Sequence, residues 1–211
     1  MGIFERKQRQ RVDLKQRVLQ AAEELFVKDG YRNVSMRKIA ERIEYSPTTI
    51  YRLFRNKAEV MDHLIADGYR SVFQRYEEIL ARRPTSPLET LNLIITEYVR
   101  YALEHPNHYE LGFSTGELTR TENQLHMRHG GTSYRVYQAW LDQIDECKTQ
   151  RLLPQRDTLV LFQLIWGTVH GMISLRIHHR RFPWLPPERH VRETLALLNR
   201  GLSEGPPPDG D

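Results

Sequence analysis

Residues 35–57 read SMRKIAERIEYSPTTIYRLFRNK, and the rest of the chain can be built outward from them. They read as a helix, a tight turn and a second short helix. Ser35 offers a side-chain oxygen to a free backbone N–H at the start of the first helix. Met36, Ile39, Ala40 and Ile43 then share one face, with Arg37, Lys38 and Arg42 opposite. Ser46-Pro47 opens the second helix: the serine caps, and proline at the first helical position has no N–H to lose and a φ already helical. From there Thr48, Thr49 and Arg52 point outward, while Ile50 and Leu53 or Phe54 face back. Only Glu44 and Tyr45 separate the two helices, so they must cross steeply, as in the arrangement that puts a second helix into the DNA major groove. The same pattern also suits an ordinary helical hairpin in a core. At this level both readings stand.

On the N-terminal side, residues 1–11 carry Arg6, Lys7, Arg9 and Arg11 with no apolar periodicity, which predicts a basic flexible arm. Val18, Ala22, Leu25 and Phe26 then mark a helix over residues 12–29, stopped by Gly30. Beyond the motif, Asn56 with Glu59 is a variant capping box that starts a long helix bearing Val60, Met61, Leu64, Val72, Phe73, Tyr76 and Leu80. Ser86-Pro87 with Glu89 repeats the start signal, and that helix stops near His105-Pro106. A short helix over about 106–116, a polar stretch near 119–123 and the Gly130-Gly131 break come next. Tyr134, Tyr137, Trp140, Leu141, Ile144 and Cys147 form another helical stripe. The stretch 155–178 is apolar around most of its circumference and is predicted to be buried on nearly every side. A basic cluster at 178–181 and the rigid PWLPP turn precede a last helix with Val191, Leu195, Leu198 and Leu202, and residues 204–211 read as a disordered tail. No strand alternation of useful length occurs. The expected fold class is all-α with about nine helices: an N-terminal helix-turn-helix unit over 12–57 and a second helical domain over 58–203.

Charge separates the two parts. Residues 1–57 hold fourteen Lys/Arg against seven Asp/Glu, while the remainder is net acidic within an overall formal charge of +4. A polyanionic partner for the N-terminal part follows. With 39% hydrophobic residues among 211 the chain can bury a core. Cys147 is the only cysteine, which excludes an intrachain disulfide and a multi-cysteine zinc site and fits a reducing cytoplasm. The N-terminus turns charged too early for a signal peptide, and Gln163, His170 and Arg176 interrupt the most apolar stretch, so no membrane association is expected.

The runs AAEELFVKDGY, VSMRKIAERI and YSPTTIYRLFRNKAEV, at fixed spacing over about residues 17–60, resemble the TetR family of bacterial transcriptional regulators. The resemblance implies that Ser46, Pro47, Thr48 and Thr49 lie at the groove-facing start of the recognition helix. By position, Tyr51 and Lys57 match the family's phosphate-binding tyrosine and lysine, Arg37 and Lys38 are placed for the backbone, and Arg52 stands beside Leu53, where an aromatic or histidine is common. Glu44 occupies the turn position where the family usually has glycine, so the turn either tolerates a left-handed non-glycine residue or differs in shape. Trp166, His170 and Gly171 in IWGTVHGM, with PNHYELGF at 106–113, resemble a subgroup with a Trp-His-Gly signature. That match implies a helical ligand-binding and dimerisation domain, with the last two helices pairing two subunits.

The expected function is a ligand-responsive repressor: a homodimer on a palindromic operator in double-stranded DNA, released by a small apolar or aromatic effector. Tyr98, Tyr101, Tyr109, Phe113, Trp140, Trp166 and His170 are the candidate pocket wall. A constitutive DNA-binding dimer or a protein-interaction module without an effector is the alternative. No enzyme is expected, because no nucleophile motif, Gly-rich phosphate loop or H-E-x-x-H occurs. The pairs His105/His108 and His126/His129 have a metal-compatible i, i+3 spacing but read as surface or capping histidines, so neither metal nor cofactor is expected.

Overall fold

Three serine oxygens close on the backbone at 3.2 Å: Ser35 on the Lys38 N–H, Ser46 on that of Thr49, and Ser86 on that of Glu89. These caps set the helix starts in the computed structural model, which describes residues 2–82, 84–113 and 131–204. Its elements are α1 (Ile3–Asp29), a 3-10 turn (Tyr31–Asn33), α2 (Met36–Arg42), α3 (Pro47–Tyr51), α4 (Lys57–Ala81), α5 (Pro87–Glu104), α6 (Pro106–Phe113), α7 (Thr132–Thr149), α8 (Thr158–His178) and α9 (Pro187–Glu204). Among the described residues there is no strand, so the fold is all-α as expected. The polar stretch at 119–123, Gly130, the His126/His129 pair and the tail beyond Glu204 lie outside the described residues.

One expectation is corrected at the N-terminus. Residues 3–11 are not an arm without periodic structure but the first turns of α1, which begins at Ile3. Apolar periodicity missed them because nothing there packs; Glu, Arg, Lys and Gln, without Gly or Pro, are strong helix formers on their own. Glu5 also accepts the Gly2 N–H at 3.0 Å. At the other end Gly30, with φ 79, stops the helix, a backbone conformation that only glycine adopts without strain.

The described residues fall into two compact units, one of 2–68 and 107–113, the other of 69–82, 84–106 and 131–204. In the first, Val18, Ala22 and Phe26 of α1 are buried with Ile39 and Ala40 of α2, Ile50 of α3, Phe54, and Val60, Met61 and Leu64 of α4. Burying side chains of this size stabilises by about 1.5–3 kcal/mol each, so this core holds the short α2 and α3, which are too short to persist alone. In the second unit Leu91, Ile94 and Ile95 of α5, Ile144 of α7 and Leu161 and Ile173 of α8 are buried to 1% exposure or less. Two polar links run through it. The Trp140 indole N–H donates to the Tyr76 hydroxyl at 2.9 Å, and the buried Glu97 carboxylate of α5 accepts from both Arg75 and Arg100. Burial pushes the Glu97 carboxyl up, but the hydrogen bonds and charges of the two guanidinium groups outweigh it and hold the group below the ordinary carboxylate value. Cys147 is fully buried, which pushes its thiol up to about 11.

Helix α8 departs from the prediction of burial on nearly every side. Leu161, Ile165, Val169, Ile173 and Ile177 face the core, while Leu159, Val160, Leu164 and Leu175 keep 45–49% of their surface exposed. The exposed side continues through Gly167 and Thr168. Among the described residues a Cβ added at Gly167 or Gly171 would meet nothing within 4 Å, so their packing does not require either glycine. By length and composition alone α8 could cross a membrane, a test that the core helix of a soluble protein also passes.

Candidate nucleic-acid interface and ligand cavity

The start of α3 depends on Ser46, whose Oγ takes the Thr49 N–H and lies 2.8 Å from the Thr49 hydroxyl. Thr49 is thereby tied into the cap. Thr48 is exposed, Tyr51 keeps 54% of its surface open, and Arg52 ends the helix exposed. Pro47 occupies the first turn as expected. Of the two candidates for the inward anchor beside Ile50, Phe54 takes the role at 1% exposure, and Leu53 is only partly covered.

The turn before α3 resolves the question raised by Glu44. It adopts φ 60, a left-handed conformation that costs a non-glycine residue about 1–2 kcal/mol. Neighbouring contacts hold it there. Arg17 of α1 donates to the Ile43 carbonyl at 3.3 Å and lies 5.3 Å from the centre of the Tyr45 ring, while the Tyr45 N–H reaches the Ala40 carbonyl at 3.0 Å.

The cations around the motif are partly engaged. Arg37 pairs with Glu41 at 2.9 Å, Lys38 with Asp29 at 3.0 Å and Arg42 with Glu24 at 3.0 Å. Lys57, at the first position of α4, donates to the Tyr31 carbonyl at 2.5 Å and sits 4.1 Å from the centre of the Tyr31 ring. An ammonium has three donors, so this bond orients Lys57 without exhausting it. The Asn56 side chain caps the Glu59 N–H at 2.9 Å, but the Glu59 carboxylate turns to the Arg55 N–H at 2.6 Å. That backbone bond, opposed by partial burial and aided by the Arg55 guanidinium, lowers the Glu59 pKa.

In the second unit, four of the seven expected wall residues fall into one chain of ring contacts. Tyr98 meets Trp140 edge-on at 5.6 Å, Trp140 meets Phe162 at 6.0 Å, Phe162 lies 6.2 Å from Trp166, and Trp166 stacks on His170 at 4.9 Å. Phe162 is the link that the sequence reading passed over, although it stands one helical turn before Trp166. Burial pushes the His170 imidazole pKa down, which favours its neutral form. The Tyr101 ring lies 4.5 Å from that of His105, tilted by 36°, and has the Arg75 guanidinium 5.7 Å away. Tyr109 is buried in the first unit, where the last turn of α6 carries Phe113.

A cavity of about 350 Å³ lies elsewhere in the second unit, and none of the seven expected residues lines it. Its wall is Phe73 and Leu80 of α4, Ile94 of α5, and Tyr134, Arg135, Gln138 and Asp142 among the α7 residues. The Arg135 guanidinium lies 3.9 Å from the centre of the Phe73 ring and 3.3 Å from Glu77. The pocket is half-open, with Leu80 42% exposed at its wall, and apolar with a polar edge, at the small end of ligand pockets, which run to about 300–1,000 Å³. Among the described residues no group of three His, Cys, Asp or Glu side chains is placed to hold a metal, and His108 pairs with Glu23 at 3.4 Å.

Residues 18–64 match the profile described as bacterial regulatory proteins, tetR family, and residues 91–200 match the tetracyclin repressor-like C-terminal domain. The HTH-type transcriptional repressor KstR of Rhodococcus jostii is 32% identical over 93 residues, covering 44% of this chain and 42% of that protein, so the match spans less than half of its length. The fatty acid metabolism regulator protein of Bacillus subtilis is 22% identical over 162 residues, covering 74% of this chain and 80% of its own. The solved structure of FadR from Bacillus subtilis in complex with stearoyl-CoA shares the fold, with a TM-score of 0.69 at 17% identity over 87% of this chain and 96% of that one.

Proposed function

This chain belongs to the TetR family of transcriptional regulators, and on that premise we propose that it is an effector-responsive repressor acting as a homodimer on a palindromic operator. The observation that carries the DNA reading is the open side of α3: Thr48, Tyr51 and Arg52 exposed on a helix whose other side is anchored by Ile50 and Phe54. Thr48 reads a base edge or a thymine methyl from the groove, with Ser46, Pro47 and Thr49 forming the leading turn. Tyr51 and Lys57 hold phosphates, and Arg37 and Lys38 exchange their surface carboxylates for the DNA backbone, a small cost because exposed ion pairs are worth about 0–1 kcal/mol. A cytoplasmic location goes with this role.

Dimerisation is supported by the uncovered face of α8. Leu164 and Thr168 face Thr194, Leu197 and Leu198 of α9 across an open apolar groove, with Leu197 70% exposed. A second copy covering this groove gives α8 the two-sided burial its composition calls for. Gly167 and Gly171 let the partner's backbone approach closely.

The effector binds in the cavity walled by Phe73, Leu80, Ile94 and Arg135. Its lining suits a lipophilic molecule with a polar end, and the similarity to a fatty acid metabolism regulator and to FadR in complex with stearoyl-CoA supports that class. A ligand there touches α4, whose first turns pack in the core under α3. It therefore favours one α4 position and changes DNA affinity by its own difference in affinity between the two states.

The test is selection of bound duplexes from a random pool, followed by titration of stearoyl-CoA. Enrichment of an inverted repeat with half-sites about 34–36 Å apart is expected. Release by the thioester, lost in Arg135→Ala or Phe73→Ala, is the second expected result. Failure to enrich any sequence would contradict the operator reading.

A further inference from the structure

The helical start of α1 takes no part in either core. From Phe4 to Asp13 every residue is exposed, including Phe4 at 79% and Val12 at 55%. These turns pack against nothing described, yet they continue the helix whose later turns form the core under α2 and α3. Their cations differ from those of the motif. Arg37, Lys38, Arg42 and Arg55 each pair with a carboxylate, whereas among the described residues Arg6, Lys7, Arg9 and Arg11, like Arg52 at the end of α3, pair with none. Four cations without a carboxylate partner thus follow one another within two turns of an exposed helix, in the same unit as α3.

We infer that the first turns of α1, through Arg6, Lys7, Arg9 and Arg11, form a second DNA contact that grips phosphates without reading sequence. This rests on the DNA-binding reading above and adds a separate site to it. Geometry selects the phosphates. At about 100° per residue the four cations spread around the rod and do not form one reading edge. An α-helix with its side chains is about 10–12 Å across and does not enter a minor groove about 6 Å wide. Flexible cations on several sides of a rod suit the backbone, where register is loose and every duplex looks alike.

The experiment compares the full chain with its R6Q/K7Q/R9Q/R11Q variant on a selected operator and on an unrelated duplex, across a salt series. Glutamine keeps the helix propensity, and circular dichroism verifies equal helix content. Each lost phosphate contact flattens the plot of log affinity against log salt by about 0.9, so a slope shallower by about two or more is expected on both duplexes. The ratio of operator to unrelated affinity stays within about twofold, since phosphate contacts carry no sequence information. A slope within half a unit of wild type overturns the inference, as does a loss confined to the operator. If Tyr51→Ala weakens operator binding while the fourfold variant does not, the α1 contact fails and the motif reading stands. If the wild-type chain binds neither duplex, both fall.

Discussion

Replacing Leu164 with glutamate probes the uncovered face of α8 directly. Leu164 keeps 46% of its surface exposed in the single chain, so roughly half of its burial energy is still available. Full burial of a leucine is worth about 1.5–3 kcal/mol, which leaves about 0.7–1.5 kcal/mol to be gained at an interface. A two-fold axis repeats every contact, so the loss counts twice, at about 1.5–3 kcal/mol per dimer. Carboxylates forced into the same apolar groove add a desolvation cost of a few kcal/mol. Together these weaken the dimer by at least ~3 kcal/mol, about a hundredfold in dissociation constant. Sedimentation equilibrium across a concentration series measures it. The fold of each subunit changes little, because exposed positions away from special features shift stability by about 0.5 kcal/mol or less. A dimer whose dissociation constant is unchanged in Leu164→Glu, or a wild-type chain that is monomeric at micromolar concentration, would refute the reasoning.

Glu44→Gly removes the left-handed strain at φ 60 and returns part of the gain to the more flexible unfolded chain, so urea unfolding should show a net stabilisation of about 0.5–1 kcal/mol. A loss of stability would mean that the Glu44 side chain holds the turn. Glu97 has a folded-state pKa below the ordinary 4.5, so its contribution is present above that pH and is lost as pH falls through the folded value. Glu97→Gln should therefore cost about 1–3 kcal/mol at pH 7 and show a shallower loss of stability than wild type below about pH 4.5 in thermal melts. Parallel acid profiles would contradict the two-arginine clamp.

The helix-turn-helix was legible because its signals are local. Ser35, Ser46-Pro47 and Ser86-Pro87 announce their helices within four residues, and the structure places each cap where the spacing puts it. The start of α1 was missed because propensity alone makes those turns, and apolar spacing cannot report a helix that buries nothing. The Asp157 side chain caps the N–H groups of Leu159 and Val160, and this signal moves the start of α8 from the expected 155 to Thr158. The second unit was less legible, because its links join residues far apart in sequence. Trp140 and Tyr76 are 64 positions apart, and the bond between them turns a supposed pocket residue inward. Arg135 and Gln138 look in sequence like any solvated helix positions, and only the fold brings them to the cavity beside Phe73 and Leu80.

The open side of α3 is where the chain is proposed to read DNA. Fluorescence anisotropy measures this on a selected operator and an unrelated duplex, each titrated with wild type, Thr48→Ala and Tyr51→Ala. Thr48→Ala should lower operator affinity while leaving binding to unrelated DNA and the salt slope in place. Tyr51→Ala should weaken both duplexes alike, by about tenfold for a loss near 1.4 kcal/mol. Equal affinities for all three proteins on both duplexes would contradict the assignment of Thr48 and Tyr51 to the interface.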